Sequence, residues 1–129
     1  MATAKTIVFD LDDTICYPNH SETGTHEKYG LAKPNLKVIS MMCGLRDSGY
    51  HIIICSARRM LTHSGDIDKI VADVGQVTID WLAQHHVPYD ELKFGKPYSN
   101  TWYVDDKAMD LTSFYKWADY EINCSREDR

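Results

Sequence analysis

Two short apolar runs, each followed at once by polar side chains, constrain the fold more than any other feature of this chain. Lys5–Phe9 is rich in β-forming residues and leads into the acidic stretch DLDD, and the run HIIIC at His51–Cys55 leads into Ser56. Short, nearly all-apolar runs are typical of parallel strands that are covered on both faces. The sequence therefore predicts two buried parallel strands with polar groups at their carboxyl ends.

Helical patterns separate and follow these strands. Pro34 is a suitable first residue for a helix whose apolar positions continue to Leu45, and Gly49 is suited to end it. The rest of the chain predicts one or two helices in Asp66–His85 with a break near Gly75, strands at Leu92–Phe94 and Thr101–Val104, and a closing helix at Leu111–Tyr120. This order predicts an α/β, three-layer, Rossmann-like fold with a mainly parallel central sheet.

The chain length predicts one domain. It has 129 residues, of which 43% are hydrophobic and 26% are charged, as in an ordinary globular protein. We assign residues 1–129 to a single domain. The polar stretch 16–33 is too short to be a further domain, and we interpret it as a short flap or loop over the site.

Charge and hydropathy exclude some classes of partner. The formal net charge is −5, and no stripe of Lys and Arg is present that would neutralise several phosphates in a row. This argues against a nucleic-acid partner but not against a small anion. No stretch reaches the roughly 20 apolar residues of a membrane span, and the N-terminus has no signal-peptide core. We expect a cytoplasmic protein without a membrane partner.

Three carboxylates crowd together behind the first strand, at Asp10, Asp12 and Asp13. Like charges disfavour one another's ionised forms, so we expect a cation or a phosphate site among them. In a doubly wound sheet, ligands bind beyond the carboxyl ends of the strands. Further polar residues follow the other candidate strands: Ser56 and Arg58, Lys96, and the pair Asp105 and Asp106.

These residues form four motifs in a recognisable order. They are DLDDT at 10–14, Ser56 in IIICSAR, Lys96 in GKP, and Asp105 with Asp106 in WYVDDKAMD. The set resembles the haloacid dehalogenase superfamily of phosphatases, and the phrases SAR, GDIDKI, VPYDEL, GKPY and YVDDKA are similar to its small capless members annotated in capsular polysaccharide biosynthesis. DxDxT also opens a calcium-binding EF-hand loop, but Ile15 and Ser21 stand where that loop needs Gly and Glu.

The resemblance implies a role for each motif. Asp10 would be the nucleophile and Asp12 the general acid and base, while Ser56 and Lys96 would hold the phosphoryl group. Substrate contacts are implied for Asp13, Thr14, Ala57 and Arg58. Magnesium would be held by Asp10, by Asp12 through its backbone carbonyl, and by a carboxylate of Asp105 or Asp106.

Several assignments stay open at this point. Lys69 competes with Lys96 for the cationic role, and we favour Lys96 because it lies nearer the last acidic motif. Either Asp105 or Asp106 would contact the metal directly, with Asp110 behind them. Ser56 also suits a helix N-cap. Arg58 and Arg59 would bind substrate or form surface ion pairs. The histidines are expected at helix ends or on the surface, with contact of His20 or His26 of the flap with substrate as the alternative.

The expected function is a magnesium-dependent phosphomonoester hydrolase that acts through an aspartyl phosphate on a sugar phosphate or another small phosphometabolite. The alternatives are a phosphotransferase, a polynucleotide-end phosphatase and a catalytically idle phosphate-binding scaffold. The insertions are too short for a large cap. A bulky substrate or a neighbouring subunit of a homo-oligomer would then cover the open site.

Overall fold

The structure is a computed structural model that describes residues 5–127, with side chains described for residues 5–124. The predicted domain limits, residues 1 and 129, lie outside the described residues. In chain order the elements are β1 (Thr6–Phe9), β2 (Cys16–Tyr17), β3 (Lys33–Pro34), α1 (Leu36–Asp47), β4 (His51–Ser56), α2 (Ile67–Ile70), α3 (Gln76–Gln84), β5 (Glu91–Phe94) and α4 (Leu111–Glu127), with π-helical turns at His26–Gly30 and Val71–Gly75.

The central sheet has three parallel strands in the order β1-β4-β5. Phe9 at the end of β1 lies opposite Ile54 of β4, and Ile54 lies opposite Leu92 of β5. The carboxyl ends of all three strands therefore meet at one edge of the sheet. The predicted α/β class with a parallel central sheet flanked by helices is confirmed.

The larger of two apolar clusters in the described residues holds α1, α3 and α4 against the sheet. Ile52 and Ile54 of β4 are fully buried in it, and the ring of Phe9 packs edge-on against Phe114 of α4 with 5.3 Å between centroids. The indole N–H of Trp81 in α3 donates a hydrogen bond of 2.9 Å to the carbonyl of Ala32. This bond fixes the end of the flap to the helical side of the core.

The prediction that both strands are covered on two faces is wrong for β1. Thr6 and Val8 point to the same face and are both exposed, Val8 by 60%, so only the face of Ile7 and Phe9 is covered. The predicted strand at Thr101–Val104 does not form, so nothing in the described residues pairs with the outer edge of β1. Trp102 and Val104 are accordingly 85% and 98% exposed.

The first helix starts two residues later than predicted. Asn35 is its N-cap, and its side-chain oxygen accepts a hydrogen bond of 3.2 Å from the backbone N–H of Val38. Pro34 instead pairs with Cys16 in the β2–β3 ladder, which closes the base of the flap. The helix ends at Asp47, and Gly49 follows it with a φ of 95°, as the sequence predicted.

The segment after β4 is helical with an irregular middle, as predicted. The carboxylate of Asp66 caps α2, and the wide turn Val71–Gly75 joins α2 to α3 without a loop. Strand β5 confirms the prediction at 92–94, and α4 continues past the predicted end to Glu127. Within the described residues, no helix is both long and apolar enough to cross a membrane.

Asp90 joins the starts of β4 and β5. Its Oδ2 accepts a hydrogen bond of 2.8 Å from the backbone N–H of Ile52, and its Oδ1 accepts one of 2.7 Å from Arg46. The backbone N–H of Ile52, followed by the Arg46 guanidinium, holds the pKa of the Asp90 carboxyl below its usual range. A carboxyl whose pKa falls on folding stabilises the protein above its unfolded-state pKa and loses that contribution as the pH drops through the folded-state pKa.

We therefore expect Asp90→Asn to lower the free energy of unfolding most at neutral pH, with a penalty that shrinks below about pH 4. Denaturant unfolding of both proteins across that range measures the difference. Glu22→Gln, at an exposed flap position, is the control and should show no such pH dependence. A penalty for Asp90→Asn that is the same at every pH would contradict this assignment.

Candidate active site

Asp10 and Lys96 form an ion pair at the carboxyl edge of the sheet. Asp10 directly follows β1, and Lys96 follows β5 by two residues. The backbone N–H groups of Gly95 and Lys96 both donate hydrogen bonds of 3.1 Å to the carbonyl of Ser56, which fixes the loop against the end of β4. The Nζ of Lys96 then lies 3.4 Å from Oδ1 of Asp10. Lys69 is exposed on α2, so Lys96 is the lysine that reaches the acidic loop.

Gly95 makes this approach of Lys96 possible. Its φ is 103°, a region that L side chains rarely adopt, and a Cβ there would lie 2.6 Å from Cδ1 of Ile67. Both the turn and the close packing on α2 therefore require glycine.

Asp12 is held by a buried arginine. The side chain of Arg58 has 0% exposure, and its Nε and Nη2 donate hydrogen bonds of 3.0 and 2.8 Å to Oδ1 of Asp12. Its Nη1 donates one of 2.8 Å to Oγ1 of Thr78, and its guanidinium lies 4.3 Å from the ring centroid of Tyr29. Arg58 was predicted to contact substrate, but its donors are directed at the protein's own groups.

The other residues of the second motif divide between core and cavity. Ser56 is only 1% exposed, and its Oγ accepts a hydrogen bond of 3.0 Å from the backbone N–H of Arg58, so it caps a turn rather than a helix. Ala57 lines the cavity in front of Asp10, whereas Ser56 does not. Thr14 lines a separate groove beside β1.

The cavity has a volume of about 510 Å³ and lies between the sheet edge and the flap. Its acidic groups are Asp10, Asp12 and Asp13, and its cations come from the flap and from the loops after β4 and β5: Lys28, Arg58, Arg59 and Lys96. His20 also lines it, with Nε2 3.5 Å from Oδ1 of Asp13, whereas His26 does not. A site of this kind suits an anionic ligand that is held beside carboxylates.

Burial changes the acidity of two groups here. Burial raises the pKa of the Asp10 carboxyl, and the ammonium of Lys96 opposes that rise. Burial, reinforced by the charge of Asp12, raises the pKa of the Cys16 thiol to about 12. Cys16 is therefore a neutral thiol beneath Asp12 and Arg58 at physiological pH, and it does not act as a nucleophile.

The four predicted magnesium ligands do not form one site. Among the described residues, no group of three or more His, Cys, Asp or Glu side chains is arranged to hold a metal ion. Asp105 lines the groove beside β1, which Asp10 also lines, while Asp106 lines neither cavity. Without a strand at 101–104, Asp105 and Asp106 lie in an exposed loop. Magnesium binding by Asp10, the backbone carbonyl of Asp12 and one acid of this pair stays a prediction.

Asp110, predicted to lie behind the metal ligands, has a structural role. Its Oδ1 accepts a hydrogen bond of 2.8 Å from the backbone N–H of Ser113 at the start of α4. That N–H, together with the side-chain hydroxyl of Ser113, holds the pKa of Asp110 below its usual range. Asp110 therefore caps α4.

Sequence reasoning predicted a flap over the site but missed three of the side chains that line the cavity, Lys28, Tyr29 and Tyr103. Tyr29 is 4% exposed and packs beneath Arg58 and Arg59, and Lys28 lies beside it. Tyr103, on the opposite wall, lies beneath Lys96 with 4.3 Å between Nζ and the ring centroid. Tyrosine and lysine in a polar stretch carry no periodicity, so no sequence signal placed them here.

Comparison with known proteins places the chain within a family. No protein-family model matches it. No curated protein matches it either. Among solved structures, the crystal structure of a structural genomics target from Vibrio cholerae is 30% identical, with a TM-score of 0.78, and the match covers 93% of this chain and 98% of that one. The chain belongs to the same family as this Vibrio cholerae protein.

Two more distant structures show a related fold. One is the Pnkp1/Rnl/Hen1 complex, with a TM-score of 0.51, 20% identity and coverage of 79% of this chain. The other is the Pnkp1/Rnl/Hen1 RNA repair complex, with a TM-score of 0.52, 18% identity and coverage of 88%. In each case the match spans 30% of the longer chain, so the likeness concerns the fold of one part of it.

The burial of Arg58 generates a stability prediction. Arg58→Met leaves the partly buried Asp12 unpaired, and we expect a loss of about 3 kcal/mol in the free energy of unfolding. Arg46→Met is the matched control. Its ion pair with Asp90 is as short, at 2.7 Å, but Arg46 is 45% exposed, so the loss should stay within about 1 kcal/mol. Denaturant unfolding measures both, and equal losses would contradict the assigned role of burial.

Proposed function

We propose that this protein is a phosphomonoester hydrolase of the haloacid dehalogenase superfamily that uses Asp10 as its nucleophile. The observation that carries the proposal is the Asp10–Lys96 ion pair of 3.4 Å, at the carboxyl edge of a parallel sheet and at the wall of a cavity of about 510 Å³. It joins the first and third motifs in space, although 85 residues lie between them in the sequence. A carboxylate beside a fixed ammonium is suited to attack a phosphate ester.

In the first step, an oxygen of Asp10 attacks phosphorus and the bond from phosphorus to the ester oxygen breaks. The leaving oxygen takes a proton from the carboxyl of Asp12. In the second step, water attacks the aspartyl phosphate, Asp12 takes the water proton, and Asp10 leaves as a carboxylate with release of inorganic phosphate. Lys96 offsets the negative charge of the phosphoryl oxygens in both steps.

Arg58 sets the position of Asp12 in this scheme. Both oxygens of Asp12 accept hydrogen bonds from Arg58, at 2.8 to 3.1 Å, so the carboxyl cannot rotate freely. A leaving group must therefore compete with Arg58 for Asp12. Ser56 acts in our proposal through the backbone, because its carbonyl fixes the loop that carries Lys96.

Magnesium dependence remains a prediction from the sequence. Asp10, the backbone carbonyl of Asp12 and Asp105 or Asp106 are the groups that would hold the ion, and no step above passes through it. Assays are therefore designed with magnesium and with a chelator. A cytoplasmic location and a homo-oligomer that covers the site likewise stay predictions.

The substrate class we favour is a sugar phosphate or another small phosphometabolite. A polynucleotide end is the second candidate, since one structural neighbour is part of an RNA repair complex, but the net charge of −5 argues against it. Product that appears only with an added alcohol acceptor would identify a phosphotransferase. Phosphate binding without turnover would identify a binding scaffold.

The nucleophile is tested by Asp10→Asn. We expect hydrolysis of phenyl phosphate to fall at least about a thousandfold, because an amide cannot form the acyl phosphate. Acid-quenched wild-type protein should carry a phosphoryl group on the peptide that contains Asp10. Asp119→Asn, on the exposed face of α4, is the matched control and should keep wild-type activity. An active Asp10→Asn protein would overturn the proposal.

The assignment of Lys96 is tested against its rival in the sequence. Lys96→Met should lower kcat/KM by about a hundredfold or more, because it removes a cation that faces the developing charge. Lys69→Met removes the same charge from an exposed site on α2 and should change kcat/KM less than about twofold. Steady-state kinetics with phenyl phosphate measure both, and a larger loss for Lys69→Met would reverse the assignment.

A further inference from the structure

Two of the three carboxylates that line the cavity each form an ion pair with one lysine or arginine. Lys96 lies 3.4 Å from Asp10, and Arg58 lies 2.8 Å from Asp12. The remaining acid of the lining, Asp13, faces His20 rather than a lysine or an arginine. Two cations of the lining, Lys28 and Arg59, are therefore left without a carboxylate from the cavity itself.

Lys28 is an uncompensated charge. In the part of the chain that the structure describes, no carboxylate lies within ion-pair distance of its ammonium. The ammonium lies 5.4 Å from the centroid of the Tyr29 ring. The backbone around it is fixed, since its N–H donates a hydrogen bond of 2.9 Å to Gly24 and its carbonyl accepts one of 3.2 Å from Asn19. The flap therefore holds an ammonium at the cavity wall that the fold does not neutralise.

Arg59 is only partly satisfied. Its Nε is buried, lies 3.5 Å from Oδ2 of Asp73, and donates no hydrogen bond, while its Nη2 donates a long one of 3.4 Å to the carbonyl of Thr23. Its backbone φ is 58°, which is strained for a residue other than glycine. Strain of this kind persists where the surrounding structure holds a functional group in place.

Lys28 and Arg59 both lie over the ring of Tyr29. Arg59 lies 5.3 Å and Lys28 lies 5.4 Å from the centroid of the Tyr29 ring, on the flap side of the cavity. Lys96 lies instead over Tyr103, which belongs to the loop after β5. The cavity thus has two cationic walls, one beside Asp10 and one on the flap.

We propose that Lys28 and Arg59 form a subsite for a second anionic group, a carboxylate or a phosphate, on the leaving group of the phosphomonoester substrate. This inference rests on the proposed function, which places the transferred phosphoryl group at Asp10 and Lys96. An anion at the flap would neutralise Lys28 and supply an acceptor for Arg59. The substrates are then small phosphate esters whose leaving group carries a second anionic group, rather than phosphates of uncharged sugars.

Three rigid probes built on the same phenylphosphonate core test the subsite by calorimetric titration: phenylphosphonate, 4-phosphonobenzoate and 1,4-phenylenebisphosphonate. We expect at least one of the two probes with a second anionic group to bind about tenfold more tightly than phenylphosphonate, since a charge-assisted contact is gained. Comparison of those two probes distinguishes a carboxylate from a phosphate. In the Lys28→Met variant the ratio of the two affinities should fall close to one. In Lys28→Arg most of the preference should return.

Lys33→Met is the matched control, because it removes an equal charge from an exposed site on β3 outside the cavity, and it should keep the full preference. The proposal is overturned if wild-type protein binds all three probes equally or binds none of them. It is also overturned if Lys28→Met weakens all three probes by the same factor, since Lys28 would then contact the phosphoryl group itself.

Hydrolysis of phenyl phosphate separates this inference from the proposed function. Turnover without a preference among the probes would disprove the subsite but support the hydrolase activity. A preference that depends on Lys28, without turnover of any phosphate ester, would disprove the hydrolase activity but support an anion-binding subsite.

Discussion

The buried guanidinium of Arg58 is the interaction on which the site and much of the fold depend. A charge with no exposed surface is costly unless it is paired and hydrogen-bonded. Arg58 meets that requirement with partners from separate segments: Asp12 in the acidic loop, Thr78 in α3 and Tyr29 in the flap. The chain can therefore bury Arg58 only when the sheet edge, α3 and the flap are assembled together. The same contacts hold Asp12 at the wall of the cavity.

The irregular helix after β4 is part of this arrangement. Thr78 accepts from Arg58, and its hydroxyl donates a hydrogen bond of 2.7 Å to the carbonyl of Val74, which lies in the wide turn Val71–Gly75. A hydroxyl that bonds back to the preceding turn is free to accept from a buried donor on its other side. Wide turns within helices are often found at functional sites, and here the turn supplies the acceptor that Arg58 needs.

What the sequence predicted well depended on local pattern. The strands at 5–9 and 51–55, the loop position of Lys96 and the stop at Gly49 each follow from a few adjacent residues. Pro34 predicted a helix start, but the helix begins after the capping residue Asn35, because Pro34 pairs with Cys16 across the base of the flap. The strand at 101–104 failed because β-forming side chains need a neighbouring strand to pack on, and this segment has none. The contact between Arg58 and Asp12 joins residues 46 positions apart, which no local pattern records.

The three acids behind β1 each contact a different partner group instead of sharing one cation. Each carboxylate turns to a positive or polar group from a different segment: Asp10 to Lys96 after β5, Asp12 to Arg58 after β4, and Asp13 to His20 of the flap. A single shared cation would require the acids to converge, and the three separate partners draw them apart. The same separation explains why the described residues gather no metal-binding cluster, and why the charge that is left over in the cavity is positive and lies on the flap.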